Sequence, residues 1–204
     1  MLQTGESAVS ASFFIEQEFK ETGFFVYQLY QASFGRKPNY DEFRAVRSRL
    51  AGIPDTEQRK EQFLADWTSR QIFYQLFPVS LYPAEFVNRL YNTANIYAPA
   101  ERARQIRALS NGWKSRSDVL RELIENSEFV TREYNSAFVR TQYFGYLQRE
   151  PDVGGELFWL GLLNQQSQPD LKYYRSIICG FVTSAEYQLR FGGVITRSNS
   201  SCGP

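Results

Sequence analysis

Phe138-Val139-Arg140-Thr141-Gln142-Tyr143 has two earlier counterparts in the chain, Phe86-Val87-Asn88-Arg89-Leu90-Tyr91 and Phe25-Val26-Tyr27-Gln28-Leu29-Tyr30. Each opens with Phe-Val, places a Tyr five residues after the Phe and a Pro thirteen residues after it: Pro151, Pro99 and Pro38. A second marker recurs in step, an aromatic behind a polar or acidic stretch, in Ser127-Glu128-Phe129, Gln71-Ile72-Phe73 and Ala185-Glu186-Tyr187, with Gln17-Glu18-Phe19 ahead of the first copy. A register kept through three copies is the signature of one supersecondary unit repeated along the chain.

The unit is helical. In the third copy Phe138, Val139, Gln142, Tyr143, Tyr146 and Leu147 fall on one face of an α-helix, and Phe25, Val26, Leu29, Tyr30 and Phe34 repeat the stripe. The Pro then ends this first helix or opens the next, because it lacks the N–H an interior turn needs and suits a first helical position. Asn39 and Glu42 have capping-box spacing for a second helix from Tyr40 to Leu50. Gly52 with Pro54, Asn111 with Gly112, and the run from Asn164 to Pro169 mark where second helices stop. A third helix carries the closing aromatic, over about 56–76, 115–134 and 170–190.

Strand-like alternation is absent, so the expected fold class is all-α with about ten helices. The expected organisation is a partial N-terminal unit at 1–23, helical units at 24–79, 80–135 and 136–192, and a polar tail at 193–204. Because 13–19 reads as a closing helix without the two helices before it, the chain begins in mid-repeat. An incomplete cap and a piece cut from a longer protein are the two expectations.

With 204 residues, 43% of them hydrophobic, the chain can bury a substantial core. Its 23 basic against 22 acidic residues leave a net charge of +1, which gives no electrostatic reason to expect a nucleic-acid or anionic-bilayer partner. The densest basic spot, Arg102, Arg104 and Arg107 with Lys114 and Arg116 beyond, shares its helix with Glu101 and reads as a solvated face. No apolar run reaches the ~18 residues of a membrane span, and residues 1–12 lack the basic start and apolar run of a signal peptide. Cys179 lies in an apolar stretch and reads as a buried free thiol, while Cys202 lies in a polar tail and reads as exposed. That pair suggests neither a disulfide framework nor a metal site.

Histidine is absent from the whole chain, which removes the commonest general base and the usual transition-metal ligand. There is no glycine-rich phosphate loop, so no cofactor is expected. Carboxylates remain as acid/base candidates, and Glu125 and Glu128 share a helical face. A glycosidase needs its two carboxylates across a cleft, so a carbohydrate-active enzyme is the alternative rather than the leading expectation.

The stretch Leu147-Gln148-Arg149-Glu150-Pro151-Asp152-Val153-Gly154-Gly155-Glu156-Leu157-Phe158-Trp159 is the most motif-like in the chain, and Phe34-Gly35-Arg36-Lys37-Pro38-Asn39 is its parallel. Asp152 is placed to cap the next helix, and Gly154 and Gly155 let another backbone come close. The run of an aromatic-Val and Tyr, then Gly-Arg-x-Pro or its equivalent, a Gly and Trp159, then Ser-x-Glu-aromatic resembles the bacterial domain of unknown function 4214. The resemblance covers 13–192 and is most specific from Phe138 onward. It departs in the second copy, where Tyr97 stands in place of Arg36 and Arg149. The first half of the motif is also similar to the linker polypeptides of light-harvesting antennae. The family resemblance implies a helical module of secreted or surface-associated bacterial proteins, some beside calcium-binding repeats, and supplies no catalytic residue.

Each marked residue has a role to be tested. Tyr30, Tyr91 and Tyr143 read as core residues with hydroxyl partners, or else as a binding platform. Asp152 and Glu156 could lend oxygens to calcium, but two carboxylates fall short of the six to eight oxygens of such a site, and a cap is favoured. Arg36 and Arg149 would lock neighbouring elements by pairing with Glu18, Glu128 or Glu186, or would stand exposed. Trp67, Phe77 and Trp113 lie outside the stripe and are candidates for contact with a partner. The function expected is a non-enzymatic interaction or assembly module of a bacterial surface or extracellular structure. Its partners would be proteins, self-association included. A calcium-dependent adhesive module is a further alternative.

Overall fold

The computed structural model describes residues 19–50, 56–165, 171–192, 194–195 and 202. Among them are eleven α-helices and no strand: α1 Phe24–Phe34, α2 Tyr40–Leu50, α3 Thr56–Ser69, α4 Gln71–Leu76, α5 Pro83–Thr93, α6 Pro99–Ser110, α7 Arg116–Ile124, α8 Ser127–Gln142, α9 Val153–Asn164, α10 Leu171–Val182 and α11 Ala185–Phe191. Five-residue π-helical turns precede α1, at Phe19–Gly23, and follow α8, at Tyr143–Leu147. The expected all-α class is the observed one. The expected stops at Gly52 with Pro54 and at 166–169, the start at Asp170, and the Phe13 to Glu18 part of the N-terminal helix lie outside the described residues.

The long third helices expected from the closing aromatics are each two helices. The break falls three residues before the aromatic each time: Arg70 before Phe73, Asn126 before Phe129, Ser184 before Tyr187. Asn126 Oδ1 accepts the backbone N–H groups of Glu128 and Phe129, and Ser184 Oγ accepts that of Tyr187. A side chain that satisfies the first free N–H groups starts a new helix. At Asn126 and Ser184 the polar residue before the aromatic is therefore a side-chain cap, whereas Arg70 makes no such hydrogen bond; in all three the aromatic sits in the first turn of the helix it opens. No proline interrupts 127–147, so α8 runs from the closing aromatic Phe129 straight through the Phe138 stripe.

The chain divides into two compact units. The first runs from Phe25 to Glu133. In it α3 packs on α7, and α5 packs on α6 and α7. Its core is aromatic: Phe73 and Phe77 stand 4.7 Å apart, Phe77 and Phe86 5.7 Å, and Tyr30 and Trp67 5.2 Å. Trp67 is buried and donates its indole N–H to Ser33 Oγ at 2.9 Å. Phe77 is buried as well, so of the three off-stripe aromatics only Trp113 is exposed. Burying one such ring contributes about 2–3 kcal/mol. Buried Glu133 is balanced by Arg132 Nε at 2.9 Å and accepts from Gln31 Nε2 at 3.1 Å.

The second unit joins Phe19–Phe24 to the chain from Tyr134 onward. Here α10 packs on α9 and on the turn Tyr143–Leu147, which α11 also covers. Phe19 meets Tyr134 and Phe138 edge-on at 5.4 and 5.3 Å, and Phe138 meets Tyr174 at 4.8 Å. Trp159 of α9 stacks on Phe181 at 5.6 Å and crosses Gly180, where an added Cβ would lie 2.7 Å from the indole. The cysteines are not free: Cys179 and Cys202 form a disulfide with Cα atoms 5.7 Å apart. Folding returns the tail residue to α10, a proximity that residues 23 apart in sequence do not reveal.

Candidate functional site

The motif residues converge at the end of each first helix. That helix stops on a left-handed residue, Gly35, Asn95 or Gln148, with φ of 63°, 53° and 49°. Such a residue reverses the chain and frees the next ones to fold back, and glycine adopts it without strain. In the first and third copies the left-handed residue lies ten positions after the Phe and is followed directly by the arginine, Arg36 or Arg149. In the second it comes one position earlier, Ile96 follows it into the core, and Tyr97 is left 82% exposed.

A guanidinium nevertheless covers the stripe tyrosine in all three copies. Arg36 lies 5.3 Å from the Tyr30 ring centre, Arg149 5.2 Å from that of Tyr143, and Arg102 5.3 Å from that of Tyr91. Arg102 comes from α6 instead of the preceding loop, and also donates to Asn92 Oδ1 at 2.8 Å and to the Ile96 carbonyl. The reading of Arg102 as part of a solvated face is thereby corrected, because the second copy has no loop arginine and Arg102 of α6 covers the ring face instead. Arg104 and Arg107 do lie on the exposed side.

Each node adds a carboxylate from a different source. Arg149 grips Glu186 at two points, Nε to Oε1 and Nη2 to Oε2, both 2.7 Å, which joins the loop after the turn to α11. Arg36 has no such acid, because Ile72 stands at the corresponding place in α4. It pairs with Glu42 at 2.8 and 2.6 Å, and Glu42 in turn closes the capping box with Asn39, at 2.9 Å in both directions. The expected closing-helix partner holds for Arg149 and not for Arg36. Glu128 sits in the first turn of α8, and Glu18 lies outside the described residues. In the second node the Tyr91 hydroxyl donates to Glu101 Oε1 at 2.5 Å.

These phenols are held in the neutral form. Burial, with Glu42 nearby, pushes Tyr30 up to about 12. Burial first, then the hydrogen bond to Glu101, raises Tyr91, and burial with Asp152 raises Tyr143. The Arg149 hydrogen bonds hold the Glu186 carboxyl below its usual range, as Arg36 does for Glu42.

Prolines and glycines finish the junctions. Pro99 sits at the first position of α6, whereas Pro38 and Pro151 precede the caps Asn39 and Asp152. Asp152 Oδ1 accepts the Gly155 N–H at 2.8 Å, and Glu156 pairs with Arg140 at 3.2 Å, so the two residues weighed for calcium serve as a cap and an ion-pair partner. Among the described residues no group of three or more acidic or cysteine side chains could hold a metal ion. A Cβ at Gly155 would collide with the Tyr143 hydroxyl. The expectation that another backbone comes close at Gly154 and Gly155 is corrected: the atoms that crowd Gly155 are side-chain ones, the Tyr143 hydroxyl and the Asp152 carboxylate.

Three arginines that the motif reading passed over collect loop carbonyls. Arg116 donates to the carbonyls of Phe77, Pro78, Val79 and Leu81 at 3.0–3.2 Å while lying 4.6 Å over the Phe86 ring. Arg132 donates to Ala94 and Asn95 at 2.6 and 2.7 Å, and Arg190 to Leu147. Arg132 and Arg190 each stand three residues after a closing aromatic, so their shared spacing was visible in the sequence. Glu125 belongs to an exposed network in which Arg121 also holds Glu57 and Glu61. No helix of the described residues is long and apolar enough to cross a membrane.

The nodes brace helix junctions, and the side chains left facing solvent are of another kind. Val153, Leu157 and Phe158 on α9 are 76%, 64% and 59% exposed, and Trp113 is exposed in the middle of the α6–α7 loop. No curated protein and no solved structure matches the chain. Residues 122–191, which hold the Tyr143, Arg149 and Glu186 node together with α9, match the family model described as a domain of unknown function (DUF4214).

Proposed function

We propose that the chain is a non-enzymatic helical interaction module that works outside the cytoplasm. The apolar outer face of α9, Val153, Leu157 and Phe158, carries the reading, because exposed apolar side chains on neighbouring turns of a helix mark a surface that another molecule covers. The motif residues support it from the other side. Their tyrosines, arginines and carboxylates are spent on one another, which makes them a brace for the helices and leaves the outer faces to do the binding. The Cys179–Cys202 disulfide supports an extracellular or surface setting, since such bonds persist in oxidising compartments.

The test pairs two measurements on one preparation. Light scattering after size-exclusion chromatography, over a range of concentrations, reads association; incubation with cell-wall and capsular glycans reads turnover. Association without turnover is the expected result. Glycan cleavage that Glu125→Gln or Glu128→Gln abolishes would contradict the reading.

A further inference from the structure

The outer face of α9 differs from that of the equivalent helix in the first copy. Counted from Pro38 and Pro151, the positions of Asp41, Arg44, Ala45 and Ser48 in α2 correspond to Gly154, Leu157, Phe158 and Gly161 in α9. The α2 set is exposed and carries two charges, as a solvated helix face does. The α9 set replaces it with two large apolar side chains between two glycines.

Area and symmetry identify the occupant. Val153, Leu157 and Phe158 together offer roughly 350 Å² of apolar surface. An interface of standard size buries about 800 Å² per partner, a little over half of it apolar, so this face supplies most of the apolar surface that a modest dimer needs. A Cβ at Gly161 would meet nothing within 4 Å, so the fold of one copy gives no reason for a glycine inside a helix, where alanine is more stable. Gly154 and Gly161 lie symmetrically about the Leu157–Phe158 pair. In an antiparallel pair of α9 helices with a two-fold axis between those residues, Gly154 meets the second copy's Gly161 and Leu157 meets its Phe158. The glycines then let the two backbones approach, and the large side chains fill the centre.

We infer that α9 is the self-association face of this chain, packing antiparallel on α9 of a second copy about a two-fold axis between Leu157 and Phe158. The inference rests on the reading of the chain as an interaction module and names its partner.

Sedimentation of the full, oxidised chain tests it with exposed positions, where a charge does not enter a core; circular dichroism melts confirm that the variants fold. Phe158→Glu and Leu157→Glu place like charges across the axis and are expected to weaken dimerisation by at least about tenfold. Leu157→Cys is expected to cross-link two copies under mild oxidation, while Arg44→Cys, the same position in the first copy, is not. A wild type that stays monomeric at every concentration overturns the inference. So does a dimer that survives Phe158→Glu and gives no cross-link at position 157, and in that case the interaction module stands while its face lies elsewhere.

Discussion

Arg149 and Glu186 form a two-point ion pair across 37 residues of chain, Nε to Oε1 and Nη2 to Oε2, each at 2.7 Å. The carboxyl of Glu186 is held below its ordinary 4.5 chiefly by these bonds, so the pair stabilises the fold fully above that value. The contribution fades as the pH falls through the depressed folded-state value, because the unfolded chain then binds the proton more readily. Both side chains are more than a third exposed, which limits the contribution to about 1 kcal/mol or less. Urea unfolding of Arg149→Ala against wild type is expected to show that loss at neutral pH and a smaller one at acid pH, below the usual carboxylate range. An equal loss at both values would mean that Arg149 acts through packing on Tyr143 alone.

Glycines of α9 and α10 separate into two classes. Gly155→Ala drives a methyl into the buried Tyr143 hydroxyl, and Gly180→Ala drives one into the Trp159 indole. Each is expected to cost about 1–3 kcal/mol in chemical denaturation, as overpacking does. Gly161→Ala meets no atom within 4 Å and is expected to stabilise the single copy by up to about 1 kcal/mol. Destabilisation by Gly161→Ala at concentrations where the chain is monomeric would show that glycine is required within one copy.

Arg116→Ala removes the donor that satisfies four carbonyls of the loop between α4 and α5. Hydrogen bonds from a charged donor contribute about 1.5–3 kcal/mol each in favourable cases, though those here share one partly exposed group. A loss of about 2 kcal/mol, with faster amide exchange confined to Phe77–Tyr82 and its neighbours, is expected. Arg116→Lys should restore little, since an ammonium cannot span the four acceptors. Full rescue by lysine would reduce Arg116 to a point charge.

Reduction of the Cys179–Cys202 bond opens a loop of 23 residues. Closing a loop of that size stabilises by about 3 kcal/mol in the chain-entropy account. The melting temperature is expected to drop by several degrees with a thiol reductant, and Cys202→Ser should melt at the reduced value under either condition. An unchanged melt would show that the tail is not held by the bond.

The fold was legible in the sequence wherever one residue type serves one role. Phe25, Phe86 and Phe138 are all buried, and a buried stripe of period 3.6 leaves its record in spacing. The breaks at Arg70, Asn126 and Ser184 were harder to see, because the caps at Asn126 and Ser184 are local hydrogen bonds from residue types that also occur within helices, and Arg70 makes no such bond. The second node was opaque for a different reason. Once the left-handed residue Asn95 comes one position early, Tyr97 falls out of register, and the guanidinium over Tyr91 arrives from Arg102, which only the path of the chain brings there. The disulfide was equally invisible, since neither the apolar surroundings of Cys179 nor the polar surroundings of Cys202 mark a pair. Three copies of Phe-Val and Pro thus describe the framework, while the groups that complete each node come from whatever neighbour reaches it.

The central claim is that the braced helices present a surface for association. Sedimentation velocity of the oxidised full chain, from about 1 µM to about 100 µM, tests it most directly, since weak interfaces populate in that range. A weight-average mass that rises with concentration from one copy toward two is the predicted result, and a mass fixed at one copy throughout would contradict the account.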